Sequence, residues 1–140
     1  MALAGVRFLD HPSDIGIEAR GTTCEEAFTR AAGALVSLIL DPSTVETSER
    51  RTITLQAADA EQLLVRWLSE ILYLYDGQGF VPKEFLISLC TPARLEATVA
   101  GEPLRAGKHR VRLDIKAVTY HQLAVWQDNE GWGVRVYLDI

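Results

Sequence analysis

The chain has 140 residues, a length typical of one domain that buries its own core. Its 14 basic and 19 acidic residues give a net charge of −5, and the basic residues are scattered along the chain. Scattered cations do not form a surface that follows nucleic-acid phosphates, so direct, tight binding to RNA or DNA is disfavoured.

The first half of the chain predicts two strands, a helix and a connection. Residues 7–10 and 15–20 have the short apolar pattern of strands on either side of a polar turn. Thr23 and Glu26 form a capping-box pattern, and apolar residues follow at helical spacing until Asp41 and Pro42 end the helix. Residues 41–51 predict a surface connection.

The second half predicts one strand, one helix and then strands only. A strand at 52–56 precedes a helix that begins at Asp59, with Gln62 completing a capping box. Residues 76–79 (DGQG) end this helix, since glycine takes the left-handed backbone of a helix C-cap. Five strands follow, at 84–89, 95–100, 110–118, 121–127 and 132–138. This order predicts the α+β class: a single domain, residues 1–140, in which two main helices pack on a mixed or antiparallel sheet.

The two cysteines, Cys24 and Cys90, belong to no CxxC motif. No zinc-binding pattern is visible, and we expect two free thiols in a reducing compartment. The N-terminal residues lack the pattern of a secretion signal, and the longest apolar run, residues 34–40, is too short to span a bilayer. We therefore expect a soluble cytoplasmic protein.

The turn between the first two strands is rich in chemically active side chains. Asp10, His11 and Asp14 occur within five residues, and Pro12 and Ser13 constrain the backbone between them. His11 is a candidate general base oriented by Asp10 or Asp14. The structural alternative is a histidine that caps the turn.

The other end of the chain carries a second acidic group, since Asp139 is followed by Ile140 and its α-carboxylate. Our hypothesis is that these oxygens meet Asp14. Such a set suits Ca²⁺, Mg²⁺ or Mn²⁺ better than zinc, although Ca²⁺ takes about six to eight oxygens, so water or a partner would complete the shell. The alternative is that the turn aspartates bond backbone and the last aspartate is only solvated.

Strand alternation predicts which side chains leave the core in the last strands. Val111, Leu113, Ile115 and Ala117 should face the core, so that Lys116 faces away from it, as Asp139 does in the final strand. Lys116 is a candidate partner for the acidic site or a cation presented to another protein; a solvated lysine is the alternative. His121 lies in an alternating strand pattern, which favours a structural role.

Five sequence pieces together resemble the archease family. They are residues 9–16 (LDHPSDIG), similar to the family's DHTAD[IV] opening; 25–28 (EEAF) with 31–32 (AA); 63–64 (LL) with 67–68 (WL) and Glu70; 116–121 (KAVTYH); and 139–140 (DI). The order and spacing of the pieces carry the resemblance from about residue 7 to the last residue. Pro12 and Ser13 depart from the family's usual Thr-Ala, which changes the turn without removing an acidic residue.

The resemblance implies a protein cofactor and not an enzyme. Archeases assist the GTP-dependent ligase that joins RNA ends during tRNA splicing, by promoting its guanylylation and multiple turnover; some are described as chaperones of a tRNA cytosine methyltransferase. By resemblance, Asp14, Asp139 and Ile140 match divalent-metal ligands, with calcium as the expected ion, and Lys116 matches a functionally important lysine. Asp10 and His11 are supporting residues of the motif.

Two alternatives remain open at the level of sequence. One is a small metal-dependent hydrolase that uses His11 as base and the aspartates as ligands. The other is a folding chaperone, which should expose apolar patches to its clients. No P-loop, GxSxG or HExxH motif is present, so the sequence carries no nucleotide-binding or hydrolytic signature.

Overall fold

The computed structural model describes residues 3–10 and 13–140. Within these residues the chain forms two α-helices and seven β-strands, with a short 3₁₀ turn at Pro42–Thr44. The elements in chain order are β1 (Val6–Asp10), β2 (Asp14–Gly21), α1 (Cys24–Ile39), β3 (Glu49–Gln56), α2 (Ala60–Asp76), β4 (Phe80–Thr91), β5 (Arg94–Pro103), β6 (Ala117–Asp128) and β7 (Gly131–Asp139).

The strands form two antiparallel sheets. The first sheet has the order β1-β2-β7-β6, and the second has the order β3-β5-β4. All five strand pairs in the described residues are antiparallel, and short connections of two residues join β4 to β5 and β6 to β7. The predicted α+β class is confirmed, and the strands are divided between two sheets instead of forming one.

Both helices contact both sheets, and the core lies around them. Helix α1 packs against β2 and β7 of the first sheet and β4 of the second, whereas α2 packs against β6 and against all three strands of the second sheet. Trp67 of α2 is fully buried, and its indole N–H donates to the carbonyl oxygen of Phe28 in α1 at 3.0 Å. Neither helix is long and apolar enough to cross a membrane, and none other occurs in the part of the chain described.

The predicted helix caps are present. Thr23 Oγ1 accepts from the backbone N–H of Glu26 at 3.1 Å, and Asp59 Oδ1 accepts from that of Gln62 at 2.8 Å. These bonds satisfy N–H groups that have no partner inside the helix. After α2 the left-handed glycine is Gly79, with φ +62°, whereas Gly77 keeps φ −90°.

The predicted strand at 110–118 is wrong, since β6 begins only at Ala117. The preceding segment is held by other contacts: the N–H of Arg112 donates to the Ile39 carbonyl at the end of α1, at 2.6 Å, and Ile115 is buried without strand pairing. The predicted alternation holds at Leu113, which packs against the core, and at the buried Ile115, but it fails at both ends of the segment. Ala117 and Val111 are exposed instead of facing the core.

Candidate functional site

The first residue of β2 lies directly opposite the last residue of β7. The antiparallel register pairs Asp14 with Asp139, then Ile15 with Leu138 and so on along the two strands. The expectation that the two ends of the chain meet is therefore confirmed. Because directly opposite residues project from the same face of a sheet, the two carboxylates are neighbours.

The carboxylates lie on the outer face of the first sheet. Ile17 and Val136 form another pair of the same ladder, and both are fully buried against the helices. Alternation along the strands places Asp14 and Asp139 on the opposite face. Asp139 is exposed, whereas the Oδ1 atom of Asp14 is shielded from solvent. The pair therefore has one inner and one open carboxylate.

Lys116 lies beside this pair, one residue before β6. Its backbone N–H donates to the carbonyl oxygen of Asp139 at 2.8 Å, and the following Ala117 pairs with Asp139 in the ladder. The Lys116 side chain is exposed and makes no ion pair with residues 3–10 or 13–140. Ile140, which follows Asp139, is 38% exposed. The main chain of Lys116 thus lies next to Asp139 at the edge of the sheet that carries the two carboxylates.

A buried carboxylate anchors the segment that leads to Lys116. Glu102, at the end of β5, is 1% exposed and accepts from Lys108 Nζ at 2.8 Å and from the backbone N–H of Glu46 at 2.8 Å. The hydrogen bond from Lys108 is the largest influence on Glu102, and together with the Glu46 N–H it lowers the pKa of this carboxyl to about 2. Glu102 is therefore ionised and fully partnered.

His109 completes this anchor. It is 3% exposed, its Nδ1 accepts from the backbone N–H of Arg105 at 3.0 Å, and its Nε2 lies 3.0 Å from Glu102 Oε2. Because Nδ1 is an acceptor, this network places the ring hydrogen on Nε2, where it is donated to Glu102. Neither Glu102 nor His109 stands in a recognisable sequence motif, so only the structure shows this anchor.

Aromatic rings line the outer face beside the carboxylates. Tyr137 is 7% exposed and packs edge-on against His121, with ring centres 5.3 Å apart. Its ring also covers Gly16, where an added Cβ would lie 2.9 Å from the Tyr137 ring. An irregularity in β6 between Thr119 and Ala124 interrupts the pairing and leaves Tyr120 64% exposed. The structural role expected for His121 agrees with this packing.

The supporting residues of the turn are placed differently. Asp10 is exposed and pairs with Ile15, so it projects from the other face of the sheet than Asp14. His11 lies outside the described residues. Within residues 3–10 and 13–140, no group of three or more histidine, cysteine, aspartate or glutamate side chains is close enough to hold a metal ion.

The donor set decides what this edge could bind. Asp14, Asp139 and the oxygens of Ile140 are hard ligands of the kind that Ca²⁺, Mg²⁺ and Mn²⁺ prefer; Asp14 lies directly opposite Asp139, and Ile140 is the next residue in the chain. They provide fewer than the six to eight or so oxygens of a complete Ca²⁺ shell. The residues therefore fit a divalent cation as an open half-site, completed by water or by a partner's oxygens.

Comparisons with known proteins agree on one family. The model of the Archease protein family (MTH1598/TM1083) matches residues 7–140. The chain is 36% identical to the "Protein archease" of Methanosarcina barkeri over 138 residues, which covers 95% of this chain and 94% of that one. It is 35% identical to that of Sulfurisphaera tokodaii over 125 residues, covering 89% and 88% of the two chains.

Solved structures show the same fold. Protein 1598 of Methanobacterium thermoautotrophicum is similar to this chain with a TM-score of 0.84 and 32% identity, covering 99% of this chain and all of that one. An archease of Thermotoga maritima, described as a possible chaperone, has a TM-score of 0.67 at 22% identity over 94% of both chains and supports the fold alone. From the family match and these identities, the chain belongs to the archease family.

Proposed function

We propose that this chain is a protein cofactor of the GTP-dependent tRNA-splicing RNA ligase, in the cytoplasm, and that it promotes guanylylation and multiple turnover of that enzyme. The observation that supports this best is the pairing of Asp14 with Asp139, beside the exposed Lys116. An acidic pair and a free lysine at one sheet edge are suited to contact a charged surface of another macromolecule. The scattered cations elsewhere favour a protein partner over RNA.

Asp14, Asp139 and Ile140 would hold the divalent cation, with calcium as the first expectation and magnesium or manganese as the alternatives. The ion would supply a compact positive charge that offsets two facing carboxylates. The chain's own residues set the geometry: the β2–β7 ladder fixes the distance between the carboxylates, and the Lys116 N–H fixes the Asp139 main chain. The exposed Lys116 ammonium remains available to a carboxylate or phosphate of the partner.

An activator must bind the activated arrangement of its partner more tightly than the resting one. A ligase that shifts from about 1% to 99% active requires a preference of about 10⁴-fold. Asp14, Asp139 and Lys116 should supply much of the preference for the active ligase. Hydrogen bonds between charged groups that become shielded from water in the complex are the strongest polar contacts that this edge can make. Removing one of them should reduce stimulation without unfolding the chain, since Lys116 and Asp139 are exposed.

The test is ligase guanylylation with labelled GTP, measured with wild-type chain and with Asp14→Asn, Lys116→Gln, Asp139→Asn and a variant without Ile140. A matched control is Asp76→Asn, because Asp76 is exposed at the end of α2. We expect at least about tenfold less stimulation, equal to about 1.4 kcal/mol, for the site variants and none for the control. Full stimulation by folded forms of all four site variants would reject the site.

This proposal makes the chain non-catalytic on its own. The purified chain should not hydrolyse phosphate esters or other small test substrates when the ligase is absent. Metal-dependent hydrolysis that is lost in His11→Ala would instead support the hydrolase alternative.

A chaperone role, with a tRNA cytosine methyltransferase as client, is a second proposal. The large exposed apolar residues favour it only weakly, since Tyr73, Leu86 and Tyr120 are 52%, 69% and 64% exposed but lie on three different elements. A chaperone should suppress aggregation of the heated methyltransferase at equimolar ratio. Tyr120 lies beside the candidate site, so Tyr120→Ala should reduce suppression if the same edge binds the client.

A further inference from the structure

The two cysteines of the chain, which are far apart in sequence, meet in the structure. Cys24 Sγ lies 2.7 Å from Cys90 Sγ, and both thiols are free. Cys24 is the first residue of α1 and is 9% exposed, whereas Cys90 is the penultimate residue of β4 and is partly exposed. The thiols therefore lie between the first helix and the second sheet.

A β-bulge aims Cys90 at Cys24. The pairing of β4 with β5 shifts between Ile87 and Leu89, so that Cys90 lies opposite the fully buried Leu95. Without this shift, regular alternation from the buried Ile87 would turn Cys90 outward, to the solvent face. The bulge places the second thiol on the inner face, next to the N-terminus of α1.

We propose that Cys24 and Cys90 form a redox modification site, which closes to an intramolecular disulfide by exchange with a small-molecule disulfide such as oxidised glutathione. A disulfide bond is about 2.05 Å long, so the sulfurs need to approach by less than about 1 Å. The chain contains no other cysteine, so no competing pairing exists within one molecule.

The exchange takes place in two steps. The Cys24 thiolate attacks one sulfur of oxidised glutathione and expels one glutathione thiolate, which leaves a mixed disulfide on Cys24. The Cys90 thiol then loses its proton to water, and its sulfur attacks Cys24 Sγ and expels the second glutathione thiolate. Two protein thiols are oxidised to one disulfide, and one glutathione disulfide is reduced to two thiols, each of which takes up a proton.

The local environment favours Cys24 as the first nucleophile. The hydrogen bond from Cys90 lowers the pKa of Cys24 despite its burial, and the same contact raises the pKa of Cys90. Cys24 also stands at the N-terminus of a helix, where thiolates are stabilised. Cys90 is left as the resolving thiol, already in contact.

The disulfide would tie the two sheets together. Helix α1 follows directly after β2 of the first sheet, and β4 belongs to the second sheet. The bond closes a loop between positions 66 residues apart, which restricts the unfolded chain strongly. We expect the thermal midpoint to rise by about 5–15 °C on oxidation.

The experiment titrates the thiols of the denatured wild-type chain before and after exposure to oxidised glutathione. We expect two thiols to fall to none, the intact mass to fall by two hydrogen atoms, and a monomeric band without reductant that carries the Cys24–Cys90 peptide link. Two bound glutathiones per chain, a disulfide-linked dimer, or two thiols that stay free would each overturn the proposal.

Single-cysteine variants provide the matched controls. Cys90→Ser retains the attacking thiol but not the resolving one, so it should accumulate a glutathione mixed disulfide at Cys24, and its thermal midpoint should not rise on oxidation. Cys24→Ser should react more slowly than Cys90→Ser. A rise of the midpoint in either single variant would show that the stabilisation does not come from the intramolecular bond.

Discussion

Replacing Asp139 by asparagine tests whether the two facing carboxylates repel each other. Asparagine has nearly the same shape as aspartate and keeps one side-chain oxygen, so Asp139→Asn removes mainly the charge. Since Asp14 lies directly opposite, the variant should be more stable than the wild type when no divalent cation is present. A substitution that stabilises the fold but impairs activity is expected where a residue is retained for function at a cost in stability.

The expected gain in the free energy of unfolding follows from the pairing of Asp14 with Asp139 in the β2–β7 ladder. Directly opposite residues on antiparallel strands have Cβ atoms about 5 Å apart, and two unit charges at that distance repel by about 0.8 kcal/mol in water-like surroundings. Asp139 is exposed, so solvent screens the pair and this value is near the maximum. We expect the free energy of unfolding to rise by about 0.5 kcal/mol, and the gain to disappear in 1 M salt.

The assay is urea unfolding at pH 7 and low ionic strength, first with a chelator and then with Ca²⁺, Mg²⁺ or Mn²⁺. A cation at a hundred times its dissociation constant should stabilise the wild type by about 2.7 kcal/mol. Asp139→Asn has lost a ligand and should gain much less, so the order of stability reverses. Asp76→Asn should respond to the cation as the wild type does.

Two results would refute the reasoning. If Asp139→Asn is less stable than the wild type in chelator and low salt, the facing carboxylates do not repel each other. If the cation stabilises the wild type and Asp139→Asn equally, Asp139 is not a ligand, whatever its effect on the ligase.

Three further predictions concern the scaffold. The hydrogen bond from Lys108 is the first cause that lowers the pKa of Glu102 from its usual 4.5 to about 2. The ionised Glu102 therefore stabilises the fold above pH 4.5, and this stabilisation is lost as the pH falls toward 2. Acid unfolding of Glu102→Gln, followed by circular dichroism, should lack this pH-dependent contribution. Gly16→Val should displace the Tyr137 ring and cost about 1–3 kcal/mol in urea unfolding. Trp67→Phe should cost about 2 kcal/mol in the same assay, because it removes a buried hydrogen bond and leaves unfilled volume.

The elements that depend on local chemistry could be predicted from the sequence. Both helices follow from a period of 3.6 residues and from side-chain caps at Thr23 and Asp59, which bond to backbone only three residues away. The aspartates of the first turn and the last aspartate can also be recognised as oxygen donors from the sequence, because this depends only on residue type. Strand boundaries depend on pairing with residues that are distant in the chain, and the segment before Lys116 does not form the strand that its alternation predicts.

The tertiary structure decided which of these groups meet. Only the β2–β7 register places Asp14 against Asp139, and only the bulge in β4 turns Cys90 toward Cys24. The Glu102 anchor likewise joins residues from separate segments. Composition and alternation cannot reveal such contacts, because one inserted residue reverses the face of every side chain after it, and strand pairing joins residues that are remote in the chain.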